Sequence, residues 1–257
     1  MVGNSLIIIL LANTCAASFA TPNIPLLDGK IVGGSNADIL DYPYQVSVQE
    51  FYLHICGGSI ISTKHIVTAA HCTYETIASY LNIRAGTAIR NSGGVTIDVS
   101  IIYQHPEFSN VTYDYDIAVL ELVSDLTFSD TIIAISLPNE NQQLIAGTES
   151  VVTGWGATEE DGIGSNQLLM VEVPLVSATD CQAAYAPNYV ITERMLCAGF
   201  TEGGKDACEG DSGGPLAIDG LLIGVVSWGA GCARPDYPGV YANVPNLRSY
   251  IAEVSGV

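Results

Sequence analysis

Six consecutive residues, Gly210-Asp211-Ser212-Gly213-Gly214-Pro215, taken with the positions of the histidines, restrict this chain more than any other feature. A serine hydroxyl keeps its proton at neutral pH and becomes a nucleophile only beside a base. Flanking glycines let the backbone turn sharply, so that neighbouring N–H groups can converge where negative charge develops. The same pattern fits the G-x-S-x-G turn of α/β-hydrolases, whose histidine follows the serine. Here His54, His65, His71 and His105 all precede Ser212, and no histidine follows it. The available order is histidine, aspartate, serine, which excludes the α/β-hydrolase arrangement.

From Ile31 to about Val240, short β-branched runs alternate with Gly, Pro, Asn and Asp breaks. Tyr44–Val48, Ser59–Ile61, Val95–Val99 and Gly220–Val226 are examples. Short strands with such regular punctuation predict an all-β sandwich or barrel. Only the end reads as helical: Asn246 is placed to cap it, and Leu247, Tyr250, Ile251 and Val254 share one face. At 257 residues the chain has room for one large domain or two small ones with a substantial core.

Eight Lys and Arg against 27 Asp and Glu leave a net charge of −19, which argues against nucleic acid or an anionic membrane as partner. Such acidity keeps a protein in solution and draws cationic substrates. The 48% hydrophobic content indicates a folded chain rather than an acidic tail. Residues 1–20 read as a secretory signal peptide, with an apolar core from Leu6 to Ala12 too short to span a bilayer and small residues at Ser18 and Ala20. Residues 21–30 read as an exposed pro-segment ending at Lys30. Without Cys15 of the signal, six cysteines remain: Cys56, Cys72, Cys181, Cys197, Cys208 and Cys232. In an exported chain they imply three disulfides, with fifteen possible pairings. Neither a zinc spacing nor a C-x-x-C motif is present, so no thiolate-bound metal is expected.

Five motifs stand in the order and spacing of one family. They are Ile31-Val-Gly-Gly34, Thr68-Ala-Ala-His-Cys72, Asp116-Ile-Ala-Val-Leu120, Gly210-Asp-Ser-Gly-Gly-Pro215 and Ser227-Trp-Gly229. From Ile31 to Val257 the chain resembles the chymotrypsin-like serine proteases, in their trypsin branch. The resemblance implies two packed antiparallel six-stranded barrels with a C-terminal helix, a boundary at about 138–153, and a site in the cleft between them. It implies Ser212 as nucleophile, His71 as base and Asp116 as the group that orients the base. Asp114 competes for the last role, but the family's aspartate directly precedes the apolar run. The backbone N–H groups of Gly210 and Ser212 would form the oxyanion hole.

By the same resemblance, Asp206 forms the floor of the specificity pocket, Ala207 follows it, and Gly229 and Gly239 keep it open. Ser227, Trp228 and Gly229 form the edge along which a substrate adds as a strand. Polypeptides cut after Arg or Lys are the implied substrates of a secreted, monomeric enzyme, protein inhibitors are its other implied partners, and no cofactor is implied. Cleavage between Lys30 and Ile31 would free an amine to pair with Asp211. The implied disulfides are Cys56–Cys72, Cys181–Cys197 and Cys208–Cys232. His54, His65 and His105 match no catalytic position and read as structural or surface residues. The segment Thr87–Gly94 stands where vertebrate trypsins carry a calcium loop, but it is shorter and holds no carboxylate, so no metal is expected there. The short loop and small disulfide set look like those of invertebrate digestive trypsins. Asn110-Val111-Thr112 is an N-glycosylation sequon.

Overall fold

The computed structural model describes residues 31–257. The expected signal peptide and the expected pro-segment, which ends at Lys30, lie outside the described residues. Thirteen strands and two α-helices follow one another as β1 (Ser35–Asn36), β2 (Gln45–Glu50), β3 (Leu53–Ile60), β4 (His65–Thr68), β5 (Leu81–Ala85), β6 (Val95–Gln104), β7 (Ala118–Leu122), β8 (Glu149–Gly154), β9 (Leu169–Val176), α1 (Ala178–Tyr185), β10 (Met195–Ala198), β11 (Pro215–Ile218), β12 (Leu221–Trp228), β13 (Gly239–Asn243) and α2 (Val244–Ser255).

Strands β2-β3-β4-β7-β6-β5 close one antiparallel barrel. The second runs β9-β10-β13-β12-β11-β8 and closes through the β8–β9 pairing, with β1 added at the edge of β9. Closure leaves no long free strand edge to recruit another chain. The alternation along the strands explains the interiors. In β9 the residues Leu169, Val171, Val173 and Leu175 are buried while the residues between them are not, so one face of the strand fills the second barrel. In β2 both faces are buried, because the inner face carries Val46 and Val48 into the barrel core and the outer face lies against the other barrel, where Thr153 Oγ1 donates to Gln45 Oε1 at 2.5 Å.

Helix α2 carries the apolar stripe read from its sequence: Leu247 and Ile251 are buried, and Tyr250 and Val254 pack against the same core cluster as the first barrel. Its start corrects the expected cap. The helix begins at Val244 after Asn243, whose side chain makes no capping bond, and Pro245 pre-sets the first turn. Asn246 lies inside the helix and its amide donates to Glu193 O at 2.7 Å, a tertiary contact that overrides its capping tendency. A second correction is α1, in a region expected to hold only strands and loops. Ser177 caps it by accepting from Asp180 N at 3.1 Å, and Cys181 and Tyr185 are its buried face. With so narrow an apolar stripe, periodicity alone gave no helical signal.

Three disulfides, Cys56–Cys72, Cys181–Cys197 and Cys208–Cys232, cross-link the described residues. The first ties β3 to the turn carrying His71, and the last ties the loop before Ser212 to the loop after β12. Asn110 lies exposed in a turn and donates to Tyr74 Oη at 3.0 Å. The Thr87–Gly94 loop is held by protein groups: Thr87 Oγ1 donates to Ser92 O at 3.0 Å within it, and Arg84 Nη1 of β5 donates to Gly93 O at 2.6 Å.

Candidate active site

Histidine, aspartate and serine arrive from different parts of the fold. His71 follows β4 in a turn, Asp116 directly precedes β7, and Ser212 directly precedes the 213–214 turn into β11. Because β4 and β7 pair, the residues just outside them are brought together. Asp116 is almost wholly buried, and every contact on it is a donor: His71 Nδ1 to Oδ2 at 2.7 Å, His71 backbone N to Oδ1 at 2.8 Å, and Ser227 Oγ to Oδ2. A buried carboxylate met by several hydrogen-bond donors is held in one orientation, and so is the ring it faces. Tyr113 lies over His71 with ring centroids 5.4 Å apart.

Asp114, the competing aspartate, points elsewhere. Arg194 grips it with two bonds, Nε to Oδ1 at 2.9 Å and Nη2 to Oδ2 at 2.7 Å, and Thr192 Oγ1 donates to Oδ1. Partial burial raises its carboxyl, but the bonds from Arg194, Thr192 and Tyr115 N and the Arg194 charge together hold it below its ordinary range. Asp114 is therefore a structural partner of Arg194.

The serine loop is set by its backbone. Gly210 and Gly213 have φ of 94° and 78°, values that side-chain-bearing residues rarely adopt. Ser212 O accepts from Gly57 N at 2.7 Å, and Gly213 N donates to Val226 O at 2.8 Å, so both barrels grip the turn. Among the described residues, the N–H groups of Gly210 and Ser212 donate to no other backbone group. Asp211 between them is fully buried, its Oδ1 accepting from Gly156 N at 2.7 Å and its Oδ2 from Cys208 N at 3.0 Å. Burial pushes its carboxyl up to about 7.

Beside Ser212 opens a cavity of about 180 Å³ lined by Asp206, Ala207, Ser227, Trp228, Gly229 and Gly239 among others. Asp206 is buried at its floor; Oδ2 accepts from Ala233 N at 3.0 Å, while Oδ1 has no partner among the described residues. Burial pushes this carboxyl up to about 7 as well. A Cβ at position 239 would sit 2.6 Å from Asp206 Oδ1, so only glycine avoids crowding that oxygen. Trp228 forms the wall, packed on Tyr185 with centroids 4.9 Å apart, and Tyr185 Oη is fixed by donating to Pro238 O at 2.6 Å.

A family model described as Trypsin matches residues 31–251. The chain belongs to the trypsin family of serine endopeptidases. It is 45% identical over 250 residues to a vitellin-degrading protease of Bombyx mori, covering 97% of this chain and 94% of the relative. Trypsin 5G1 of Aedes aegypti is 45% identical over 230 residues, covering 89% and 86% of the two chains. Trypsin alpha of Drosophila melanogaster is 46% identical over 255 residues, covering 97% and 98%.

One residue of this trypsin-family site was hidden in the sequence. His54 Nε2 donates to Gly210 O at 2.9 Å, and Ser47 Oγ donates to His54 Nδ1 at 2.8 Å. Burial pushes the His54 ring down to about 4, so the neutral tautomer with a proton on Nε2 fits both bonds. His54 thereby fixes the carbonyl of Gly210. Its partner lies 156 residues away, and a register shift between Val48 and Gln49 turns His54 to the face of Ser47, opposite Cys56, so no period-2 pattern signals it. His105 is packed between Tyr115 and Tyr250, and His65 bonds to Ser62 in the β3–β4 turn, so both are structural.

Proposed function

We propose that this trypsin-family enzyme cuts polypeptides after Arg and Lys by a Ser212–His71–Asp116 mechanism. His71 takes the proton of Ser212 as Oγ attacks the scissile carbonyl, then returns it to the leaving amine. Asp116 holds the proton on His71 Nδ1, leaving Nε2 to act as base. The N–H groups of Gly210 and Ser212 stabilise the oxyanion, a donor of this kind being worth ~2.7–4 kcal/mol in the transition state. The reading of specificity is carried by Asp206 Oδ1, a buried carboxylate oxygen in the cavity lining with no hydrogen-bond partner among the described residues. Such a group is costly unless a cation meets it.

Arg can engage that carboxylate through a planar fork, whereas Lys brings a compact ammonium that needs further acceptors. Ala207 has no hydroxyl to supply one. The enzyme is therefore expected to prefer Arg over Lys, and Ala207→Ser to raise kcat/KM for Lys relative to Arg by roughly tenfold, the scale of one hydrogen bond. Matched Arg, Lys and Phe substrates test both statements. Equal cleavage after Phe and Arg would refute the pocket assignment, and an unchanged Lys-to-Arg ratio would refute the role of Ala207.

We also propose export, supported by the three disulfides, and synthesis as a zymogen cut between Lys30 and Ile31. Asp211 enters none of the ion pairs among the described residues and Ile31 is fully buried, a pairing of needs that a freed Ile31 amine would meet. An ion pair there would hold Asp211, and with it the N–H groups on either side. Lys30→Gln is expected to give a folded, disulfide-bonded chain with kcat lower by about 10²–10³, the scale of a lost oxyanion donor. Full activity of that uncut chain would refute the zymogen reading. A digestive role is the one we infer from the short Thr87–Gly94 loop and small disulfide set. The relative named a vitellin-degrading protease makes degradation of vitellin the second reading.

A further inference from the structure

Asn110-Val111-Thr112 is the only Asn-x-Ser/Thr sequence in the chain, and it stands in the turn between β6 and β7. Asparagine usually enters a turn because its side chain bonds the backbone just ahead of it. Ser109 performs that task here: its O accepts from Tyr113 N at 2.8 Å, and its Oγ from Val111 N and Thr112 N at 3.4 and 3.2 Å. Among the described residues the Asn110 side chain makes one bond, from Nδ2 to Tyr74 Oη at 3.0 Å. Asn110, Val111 and Thr112 are all exposed, Val111 by 84%. The turn does not need this asparagine, and nothing covers it.

Aromatic rings surround the amide. Phe108 meets Tyr74 edge to face with centroids 6.0 Å apart, and Tyr113 likewise at 6.3 Å. Phe108 is half-buried and Tyr74 is 42% exposed, so this cluster presents ring surface to solvent next to Asn110. One face of a pyranose carries only C–H groups, whose positive hydrogens suit the negative face of such a ring. The cluster also borders the reacting groups. Tyr74 lies three residues after His71, and Tyr113, three after Asn110, lies over the His71 ring.

We propose that Asn110 carries an N-linked glycan whose first sugar packs on Tyr74 and Phe108, and that the rest of the glycan forms a fence at the cleft rim against folded protein inhibitors. The proposal rests on the export reading, since the donor, a lipid pyrophosphate-linked oligosaccharide, belongs to the secretory lumen. A bond forms between Asn110 Nδ2 and the anomeric carbon, and the bond from that carbon to the pyrophosphate oxygen breaks. The amide gives up one proton, and the lipid pyrophosphate leaves with the electron pair. The N–H that remains can still donate to Tyr74 Oη. A protein inhibitor covers roughly 20–30 residues of its target, so it must meet the rim as well as the pocket. A short substrate enters the cleft without touching the fence.

The test compares the native chain with Thr112→Ala, which keeps Asn110 but removes the sequon. Both are secreted from eukaryotic cells grown with a mannosidase inhibitor, refolded from bacteria as unglycosylated controls, and activated. Peptide N-glycosidase should remove the mass of one glycan from the secreted native chain and none from the variant. The secreted native chain should melt about 2–4 °C above the secreted variant, beyond any difference between the bacterial pair, as expected for one aromatic contact in a chain of this size. An endoglycosidase that leaves only the first sugar should preserve that gain. The secreted native enzyme should associate with a proteinaceous inhibitor roughly tenfold more slowly than the variant, and trimming to one sugar should abolish the difference. Cleavage of an Arg anilide should be the same for all forms. A native chain that is secreted with unchanged mass would refute the glycan and leave export standing. A chain that is not secreted would refute export, and the glycan with it. Equal inhibitor association rates would refute the fence, and loss of the thermal gain on trimming would refute the packing on Tyr74 and Phe108.

Discussion

Asp116→Asn is expected to lower kcat by about 10⁴ at neutral pH, the loss that this substitution causes in the serine protease triad. The geometry here says why. The three groups facing Asp116 are all donors, and one of them, the His71 backbone N–H on Oδ1, cannot change its role. An asparagine must therefore turn its oxygen to that N–H and its amide to the side now occupied by Oδ2. There the amide meets His71 Nδ1, and two donors cannot share one bond. The ring must then carry its proton on Nε2, and the lone pair that should accept from Ser212 is lost. Ser227 loses an acceptor too, but its hydroxyl can rotate and accept instead. KM and the thermal midpoint should change little, because the variant side chain occupies the same space. Asp114→Asn is the control. It weakens the Arg194 fork, so it should lower the thermal midpoint while kcat stays within a few-fold. If Asp116→Asn kept native kcat, or Asp114→Asn lost it, the assignment of the two aspartates would be reversed.

These two aspartates also show how much the sequence revealed. Motif order was enough to prefer Asp116 over Asp114, because the family pattern ties the aspartate to the apolar run that becomes β7. The occupation of Asp114 by Arg194 was not legible, since the two lie 80 residues apart and no local pattern links them. The same limit hid His54. Strands were legible where β-branched runs meet breaks, as in β2 and β12. The helix α1 was not, because only Cys181 and Tyr185 of it are buried, and the capping signal Ser177-x-x-Asp180 is short. At the last helix the stripe was legible, but the cap was misplaced, because Asn246 is held by Glu193 from another part of the chain. Distant pairings such as the three disulfides and His71 with Asp116 were legible only through the family resemblance, and those outside its motifs were not legible at all.

Asp206→Ser should cost cleavage after Arg and Lys roughly 10²–10⁴ in kcat/KM, the range for removing one partner of a buried ion pair. Without substrate, the same substitution should act in the opposite direction on stability. Burial raises the Asp206 carboxyl from its ordinary 3.8 to about 7, so folding favours its protonated form. That favourable contribution is fully present below the lower value and is lost as pH rises through the higher one. Serine has no charge to desolvate. The variant should therefore gain stability relative to the native enzyme as pH rises across that window, and the gain should level off above about 7. Asp211 titrates in the same range and its charge adds to the rise at Asp206, so the difference between the two proteins includes that coupling as well as the desolvation of Asp206. A cationic ligand reads the same equilibrium from the other side. Binding a small amidinium requires the carboxylate, so it expels the proton from Asp206, and native affinity should rise with pH until the group is ionised. Calorimetry between about pH 5 and 8 measures both affinity and proton release. An affinity independent of pH, with no proton released, would mean that Asp206 is already ionised throughout. Undiminished cleavage after Arg in the variant would remove Asp206 from the pocket's chemistry altogether.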